Sequence, residues 1–517
     1  MLCSHIPLFF WLSRKDSFIR EVEFFCKFEQ KTSMKRRLEY TKLILWIFAT
    51  VFSSEMLYAQ QAKNVLIIYS DDQSYNTIQA WGNHEIKTPN LDRLVKQGLS
   101  FRQAHVMGGH QGAVCIPSRI MMLTGRYINR LPQDGSLVPD SLISLPEVLR
   151  KRGYTTFHTG KWHSDKLSHD RFFSAGDNIF FGGMHFEKDG GQFHPHVYHY
   201  NGNAVYPATG GWKSDTFSTQ LYADAAVRFL ESSQAKEKPF LCYVAFTSPH
   251  DPRTPPPPFA NYYDPEKISL PPNFLPEHPF DNGDIRVRDE MLLPHPRSPD
   301  AVKEQIALYY AMVSELDAQV GRILDVLDKN GLRENTLIVF AGDNGLAVGQ
   351  HGLLGKQSLY EHSIRVPMIF SGPSIPVSKQ TNAFVYLSDI TPTVLDWLGI
   401  PAPPTVEAKS LLPLIRDQKA MVRRNIYNVY GHWSRSIKTA DGYKLIVYNV
   451  NGASTTQLFN LRKDPWETKN LSSDPGQTKR IMQMREQLKR EMQITHDDLN
   501  IDLPHWGRKP EQKGSGS

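Results

Sequence analysis

The sequence predicts an α/β protein: a mostly parallel sheet sandwiched by helices, followed by a smaller C-terminal α+β subdomain with an antiparallel sheet. Three observations carry this. Short apolar, β-branched runs alternate with stretches whose apolar residues recur at helical spacing, the rhythm of repeated strand–helix units. The runs are apolar along their length, as strands covered on both faces are. After Pro401 the rhythm changes to closely spaced strands and one polar amphipathic helix.

The elements follow in order. Residues 64–70 form a buried strand, with Asp71-Asp72 directly after it. Residues 91–98 form a short helix closed by Gly98. Residues 144–152 are a second helix and 154–159 a second strand. A helix over 221–230 leads into a strand over 240–246. From 302 to 327, Ile306, Tyr310, Val313, Leu316, Val320, Ile323 and Leu327 lie on one helical face, and Asn330-Gly331 ends that helix. Strands over 336–340 and 366–370 complete this part. Residues 176–214, rich in Gly, His and aromatics, and 249–299, rich in proline, read as long surface loops, which in a compact domain are usually functional. Beyond 401, residues 424–430, 434–449 and 456–460 read as antiparallel strands and 477–493 as a helix. The chain thus divides into a signal-peptide region (1–59), a main α/β domain (60–400), a C-terminal subdomain (401–510) and a flexible tail (511–517), with no internal repeat.

Composition narrows the class. The 517 residues carry a formal charge of +6, too weak an excess to argue for nucleic acid. Met34-Lys35-Arg36-Arg37 opens a secretory pattern, with an apolar run over 43–52 and Ala59 at a suitable cleavage position; Met34 reads as the translation start. The run is too short to span a bilayer, and no cysteine follows it for a lipid anchor. An exported protein, periplasmic or secreted and without stable membrane insertion, is expected. Cys3 and Cys26 fall in the removed segment. Cys115 and Cys242 remain, in contexts too different for a disulfide scaffold.

The chemistry centres on Cys115. It opens the run Cys115-Ile116-Pro117-Ser118-Arg119-Ile120-Met121-Met122-Leu123-Thr124-Gly125-Arg126. A lone cysteine is most often a small buried hydrophobe. Here it has company. Asp71-Asp72 and Asp343-Asn344 each sit just past a strand's carboxyl end, where open parallel sheets bind ligands. Alone, either pair could cap a helix or form a turn; together they offer four hard oxygen donors, which suit Ca²⁺ or Mg²⁺ and not zinc. A helix beginning near Pro117 puts Arg119 one turn after Cys115. Basic groups follow further strands: Lys161 and His163 in Thr159-Gly160-Lys161-Trp162-His163, His250 in Thr247-Ser248-Pro249-His250-Asp251, and Lys356 ending Gly349–Lys356. Cationic donors converging on one point suit a tetrahedral oxyanion.

The Cys115 run, C-x-P-S-R-x-x-x-L-T-G-R, resembles the signature of the type I, formylglycine-dependent sulfatases of the alkaline phosphatase superfamily, among them bacterial exported carbohydrate sulfatases. The resemblance covers about 64–471, including the closing segments Leu458-Phe459-Asn460-Leu461 and 464–471. It implies an alkaline-phosphatase-like fold and conversion of Cys115 to Cα-formylglycine by a maturation enzyme. The hydrated aldehyde is then the nucleophile toward sulfur. Asp71, Asp72, Asp343 and Asn344, with residue 115, hold Ca²⁺, or Mg²⁺. Arg119 holds the nucleophile and the carboxylates. Lys161 and Lys356 bind sulfate oxygens, His163 holds a hydroxyl of the hydrate, and His250 lies near the leaving oxygen. His250 or Lys356 protonates the departing alcohol, and His163 assists release of sulfate.

For substrate, a sulfated carbohydrate cut one residue at a time in a closed pocket is expected, since export and a His- and aromatic-rich loop suit a sugar. Arg253, tied to His250 by a stiff proline-rich path, is a candidate for gripping it. His185, with His194 and His196, is a candidate facing wall, and His432 a candidate rim. Two alternatives stand beside this reading: a phosphonate monoester or phosphodiester hydrolase, which can share the cysteine motif, and a non-catalytic glycan-binding protein. A thiol redox protein lacks its partner cysteine.

Overall fold

The computed structural model describes residues 63–507; the signal region 1–59 and the tail 511–517 lie outside the described residues. At its centre is an eight-stranded sheet in the order Lys379–Thr381, Gly98–Phe101, Met368–Ser371, Thr336–Gly342, Asn64–Ser70, Phe240–Ala245, Thr155–Lys161, Ala175–Phe180. Met368–Ser371 alone runs antiparallel to its neighbours. Asn64–Ser70 is the hub: Asn64 to Ser70 face Thr336 to Gly342 on one side, and Val65 to Tyr69 face Leu241 to Ala245 on the other.

Alternation along this strand sets the two layers, because successive side chains point to opposite faces. Leu66 and Ile68 pack into one core with Leu91, Leu94, Tyr222, Leu316 and Val320, from the helices Pro89–Gln97, Ser218–Glu231 and Pro299–Lys329. Val65, Ile67 and Tyr69 pack into the other with Ile120, Leu145, Leu149 and Val394, from Cys115–Thr124, Leu145–Arg150 and Ile390–Leu398. The sandwich expected from the sequence is therefore present. Local signals hold the helix ends. Ser144 and Glu147 form a capping box at Leu145–Arg150, and the Ser298 side chain caps Pro299–Lys329 with Pro299 in its first turn.

Five expectations need adjustment. The helix expected near Pro117 begins at Cys115 itself. The expected strand 434–449 is a hairpin of Ser434–Thr439 and Tyr443–Val450; Asp441-Gly442 was its sign, with Gly442 at φ +91. The expected strand 366–370 is split between Arg365–Val366 in a small sheet and Met368–Ser371 in the central one. Residues 176–214 are not all loop, since Ala175–Phe180 is the sheet's edge strand. The proline-rich 249–299 segment also buries polar groups, among them Arg253, Asn273, Asp289, Glu290 and Arg297.

The C-terminal sheet is ordered Ala453–Asn460, Tyr443–Val450, Ser434–Thr439, Asn425–Tyr430, Gly108–Gly109. Its last strand comes from the segment leading into Cys115. Gly108 pairs with Val429 so closely that a Cβ there would lie 1.9 Å from the Val429 carbonyl oxygen. Only glycine permits that approach.

Candidate active site

Parallel strands deliver their carboxyl ends to one edge. Asp71 follows Ser70, Asp343 follows Gly342, Lys161 ends its own strand, and the Phe240–Ala245 strand leads to His250. Cys115 enters from the other layer as the first residue of its helix. All are buried.

These groups meet. Arg119 donates from Nε and Nη2 to Asp343 Oδ2 at 3.1 and 2.9 Å, and its Nη2 lies 3.7 Å from Asp71 Oδ1. Lys161 Nζ donates to Asp71 Oδ2 at 2.6 Å. Lys356 Nζ donates to both Asp72 oxygens at 2.8 and 2.9 Å and lies 3.1 Å from Cys115 Sγ. Asn344 Nδ2 donates to Asp72 Oδ1. His250 Nε2 is 3.5 Å from Asp72 Oδ2, and its Nδ1 faces the Asp251 carbonyl and carboxylate at 2.8 and 3.2 Å. Asp72 adopts φ +62, unusual for a non-glycine residue. It is held there by its own N–H donating to Asp343 and by the Tyr309 hydroxyl donating to its carbonyl at 2.6 Å.

Burial and charge pull the groups apart. Burial and neighbouring Asp343 push Asp71 up. Burial also pushes Asp343 up, but Arg119, Lys161 and Lys356 outweigh it and hold Asp343 at about 2. Burial opposes the charge on Lys356, yet Asp72 outweighs it and keeps the ammonium well above its usual range. Burial and Lys356 press His250 down, but Asp72 and Asp251 raise it on balance. His163 is pushed well down by burial, Lys161 and Arg119. Burial raises the Cys115 thiol well above its ordinary value, so the unmodified side chain is held protonated.

The donor set fits a hard divalent cation. Asp71 Oδ1, with only the Arg119 guanidinium at 3.7 Å, and Asn344 Oδ1 are buried without a hydrogen-bond partner, an expensive state that a cation would relieve. Ligand atoms of Asp71, Asp72, Cys115 and His250 lie within 4.8 Å of one another.

The remaining candidates sit around this centre. His163 is close enough for the charges of Lys161, Arg119, Lys356 and His250 to act on it, and a Cβ on Gly183 would lie 2.6 Å from its Nε2. His185 is buried, stacks on Phe180 at 3.9 Å and lies 2.8 Å from the Tyr222 hydroxyl; burial lowers it to about 3. His194 faces Asp215 at 3.1 Å, and His196 packs edge-on to Tyr198. Arg253 is buried and donates to Gln305 Oε1 at 2.5 Å. His432 stacks near His110 and lines an open cleft with Asp134, Arg435 and His496.

Sequence reasoning missed a supporting turn. Arg288, Asp289 and Glu290 are consecutive, and each serves this centre. Arg288 clamps the Asp251 carboxylate with both terminal nitrogens. Asp289 accepts from Gln357 Nε2 at 2.8 Å. Glu290 accepts the backbone N–H groups of Leu354 and Gly355, each at 2.8 Å, directly before Lys356, and is itself held by buried Arg297 at 2.7 Å. The only sign in the sequence was a charged triplet inside a proline-rich stretch.

What this edge offers is cationic donors suited to a small oxyanion: Lys356 and His250 face a buried residue 115, with Lys161 beside them on Asp71, over carboxylates suited to a cation. The chain belongs to the sulfatase family, whose model matches residues 63–400; a second family model, the C-terminal part of N-sulphoglucosamine sulphohydrolase, matches 349–494. Among curated relatives, a sulfatase of Formosa agariphila is 29% identical over 438 residues, covering 79% of this chain and 82% of its own. An N-acetylglucosamine-6-O-sulfatase of Bacteroides thetaiotaomicron is 24% identical, with coverage of 79% and 82%. Among solved structures, a protein in complex with its substrate D-glucosamine-2-N,6-O-disulfate aligns with TM-score 0.70 at 22% identity, over 84% of this chain and 99% of its own. At that identity the likeness speaks for the fold. The chain is thus an enzyme of the sulfatase class with the alkaline-phosphatase-like architecture expected for it.

Proposed function

We propose that this protein hydrolyses a sulfate ester on a carbohydrate, using residue 115 as nucleophile after Cys115 has been converted to Cα-formylglycine by a maturation enzyme. The observation that carries the reading is the convergence of Lys356 and His250 on the Cys115–Asp72 pair, with Lys161 beside them on Asp71. Hydrated formylglycine would supply a hydroxyl oxygen for attack on sulfur. Asp71, Asp72, Asp343 and Asn344, with residue 115, would hold Ca²⁺, or Mg²⁺, which when bound neutralises charge on the sulfate group.

In this reading Lys356 and Lys161 grip sulfate oxygens, exchanging part of their present contact with Asp72 and Asp71. Arg119 fixes Asp343 and the start of the helix that carries residue 115. His250 donates a proton to the departing sugar oxygen; Asp251, clamped by Arg288, holds the imidazole by Nδ1 and so leaves Nε2 facing the site. His163, kept neutral, accepts the hydroxyl proton when the second half-reaction expels sulfate. The catalytic domain spans 60–400, and the 401–510 subdomain braces the Cys115 segment through Gly108–Gly109. The relative named for N-acetylglucosamine 6-O-sulfate and the neighbour solved with a glucosamine disulfate support a sugar as the alcohol. Arg253, His185 and His432 are the proposed substrate-side residues, and the 34–59 pattern supports export. No helix among the described residues is long and apolar enough to cross a membrane.

The test has two parts. Protein co-produced with a formylglycine-generating enzyme is digested and the residue-115 peptide weighed; active enzyme with a wholly thiol peptide would overturn the nucleophile. Release of sulfate from sulfated mono- and oligosaccharides is then compared with hydrolysis of matching phosphonate and phosphate esters. Faster phosphonate turnover would move the protein to the phosphonate hydrolases.

A further inference from the structure

Four arginines are buried among the described residues: Arg119, Arg253, Arg297 and Arg435. Three face a carboxylate, namely Asp343 at 2.9 Å, Glu290 at 2.7 Å and Asp497 at 2.5 Å. This is what a buried guanidinium requires, since an unpaired charge out of water is costly. Arg253 is the exception. It is 7% exposed, yet no carboxylate among the described residues lies within ion-pair distance. Its Nη1 donates to the neutral side-chain oxygen of Gln305, and its Nε has no hydrogen-bond partner. The carboxylate nearest in sequence, Asp251, is already taken up by His250 and Arg288.

The place of this unpaired charge is informative. Arg253 lines a cavity of ≈ 460 Å³ with Asp251, Arg288, Gln305, Met184 and Lys188, within the usual size range for a small-molecule site. Asp251 is the residue that orients His250, so the cavity adjoins the side of the centre from which the sugar departs. Asp251 and Arg288 neutralise each other. Exposed Glu187 and Lys188 offset each other at the wall. Arg288 is held by Asp289 as well, and Arg253 is near enough for its charge to act on Asp251, but no carboxylate among the described residues pairs with it directly; Gln305 fixes its direction without neutralising it.

We infer that this cavity is an anion pocket for a second negative substituent of the substrate, a carboxylate or further sulfate on the sugar, with Arg253 as its reader. The inference deepens the proposed sulfate-ester hydrolysis and rests on it. A substrate with one sulfate ester at residue 115 and a second anion at Arg253 would complete the ion pair that the fold leaves open. A neutral sugar would leave the guanidinium buried and unpaired.

The experiment uses enzyme whose residue 115 is shown by mass to be formylglycine. Its kcat/KM is measured on phenyl sulfate, on meta- and para-carboxyphenyl sulfate, and on the matching sulfonatophenyl sulfates. The readout is the ratio of the best anionic probe to phenyl sulfate, which does not depend on how much of a variant folds. Wild type is expected to favour an anionic probe by ~10-fold or more, the worth of one charge-assisted hydrogen bond. Arg253→Gln should bring the ratio to about 1, while Arg253→Lys keeps part of it. Gln305→Glu, which gives Arg253 a carboxylate of its own, should also abolish the preference with the arginine still present. The carboxylate and sulfonate arms tell which anion the pocket prefers. A wild-type ratio near 1, or a preference that survives both Arg253→Gln and Gln305→Glu, overturns the pocket alone. Failure of the matured wild type to hydrolyse any aryl or sugar sulfate overturns the reading beneath it, and the pocket with it.

Discussion

Two buried clusters of charge invite comparison. The first, around Cys115, brings Asp71, Asp72 and Asp343 against Arg119, Lys161 and Lys356. The second lies where the C-terminal sheet meets the short helix Glu361–Ile364. There Glu361 accepts from Lys438 at 2.6 Å and Lys444 at 3.2 Å, and Glu467 accepts from Lys444 at 2.8 Å and from the Glu361 N–H at 2.8 Å. Lys438 also reaches Gln103 at 2.7 Å. Both clusters are fully buried and both join segments distant in sequence. They differ in how completely they satisfy themselves. Every carboxylate oxygen of Glu361 and Glu467 has a partner, whereas the first cluster leaves Asp71 Oδ1, Asn344 Oδ1 and His163 Nδ1 without one. A closed cluster holds the fold together. An open one leaves charged and polar atoms available to an ion or ligand.

Breaking the comparison begins with residue 115, the proposed nucleophile. Cys115→Ala should reduce turnover by ~10⁵-fold or more, the scale seen when a nucleophile is removed from a site acting as a unit. Its melting temperature should stay within about 2 °C of wild type, because only one small side chain is lost. A large fall in thermal stability would mean that Cys115 also supports the fold.

The second cluster should behave in the opposite way. Lys444→Met strips a cation from two buried carboxylates and should cost about 3–5 kcal/mol of stability by denaturant titration. The kcat of the remaining folded enzyme should stay within about twofold of wild type. A matching collapse in kcat would show that the two clusters are coupled.

A third buried acid sharpens the contrast, because it has no cation within ion-pair distance among the described residues. Glu315, on the Pro299–Lys329 helix, accepts from Gln319 at 3.0 Å, and its other oxygen is unpartnered. Burial raises it to about 7. The folded state therefore holds a proton that the unfolded chain releases near its ordinary value of 4.5. Below that pH the group costs nothing, and stability is lost as pH rises from there to about 7. Glu315→Gln should remove this loss, gaining about 3 kcal/mol above pH 7 and little at pH 4. Parallel melting curves of the two proteins across pH would refute the assignment.

The smallest effect is expected from removing the ion. Dialysis against a chelator should lower stability by about 2–3 kcal/mol if free ion stood near a hundredfold of its Kd. Lys444→Met protein should lose the same additional amount, since the sites share no partner. Elemental analysis should find calcium or magnesium. Stoichiometric zinc would contradict the oxygen-rich donor set.

Much of the centre was legible because its parts are local patterns. Asp71-Asp72 could be placed at a sheet edge from the apolar run before it, and Asp343-Asn344 likewise. Parallel strands then bring their carboxyl ends together as a consequence of topology. The hairpin at Asp441-Gly442 carries its turn signal in the sequence, inside a longer run that otherwise reads as one strand. The Arg288–Glu290 turn could not be read in this way. Glu290 acts on Leu354 and Gly355, 64 and 65 residues on, and Arg288 on Asp251, 37 residues back. Such contacts carry no period in the sequence, and charged residues in a proline-rich stretch are ordinarily solvated.

The sequence by itself determined the layered α/β fold, the residues that surround position 115, and the hard-oxygen character of the donors beside it. Hydrophobic period, strand-end position and residue type are enough to specify these. Tertiary structure decided which buried charges are closed and which are open. Arg253 and Arg297 look alike in the chain, both set among prolines. One finds Glu290 and the other only Gln305, and that difference depends on where the Pro299–Lys329 helix and the 288–292 turn come to rest. A pair or an unpaired charge exists only once distant segments share a low-dielectric interior, so whether Arg253 finds a carboxylate was decided by packing.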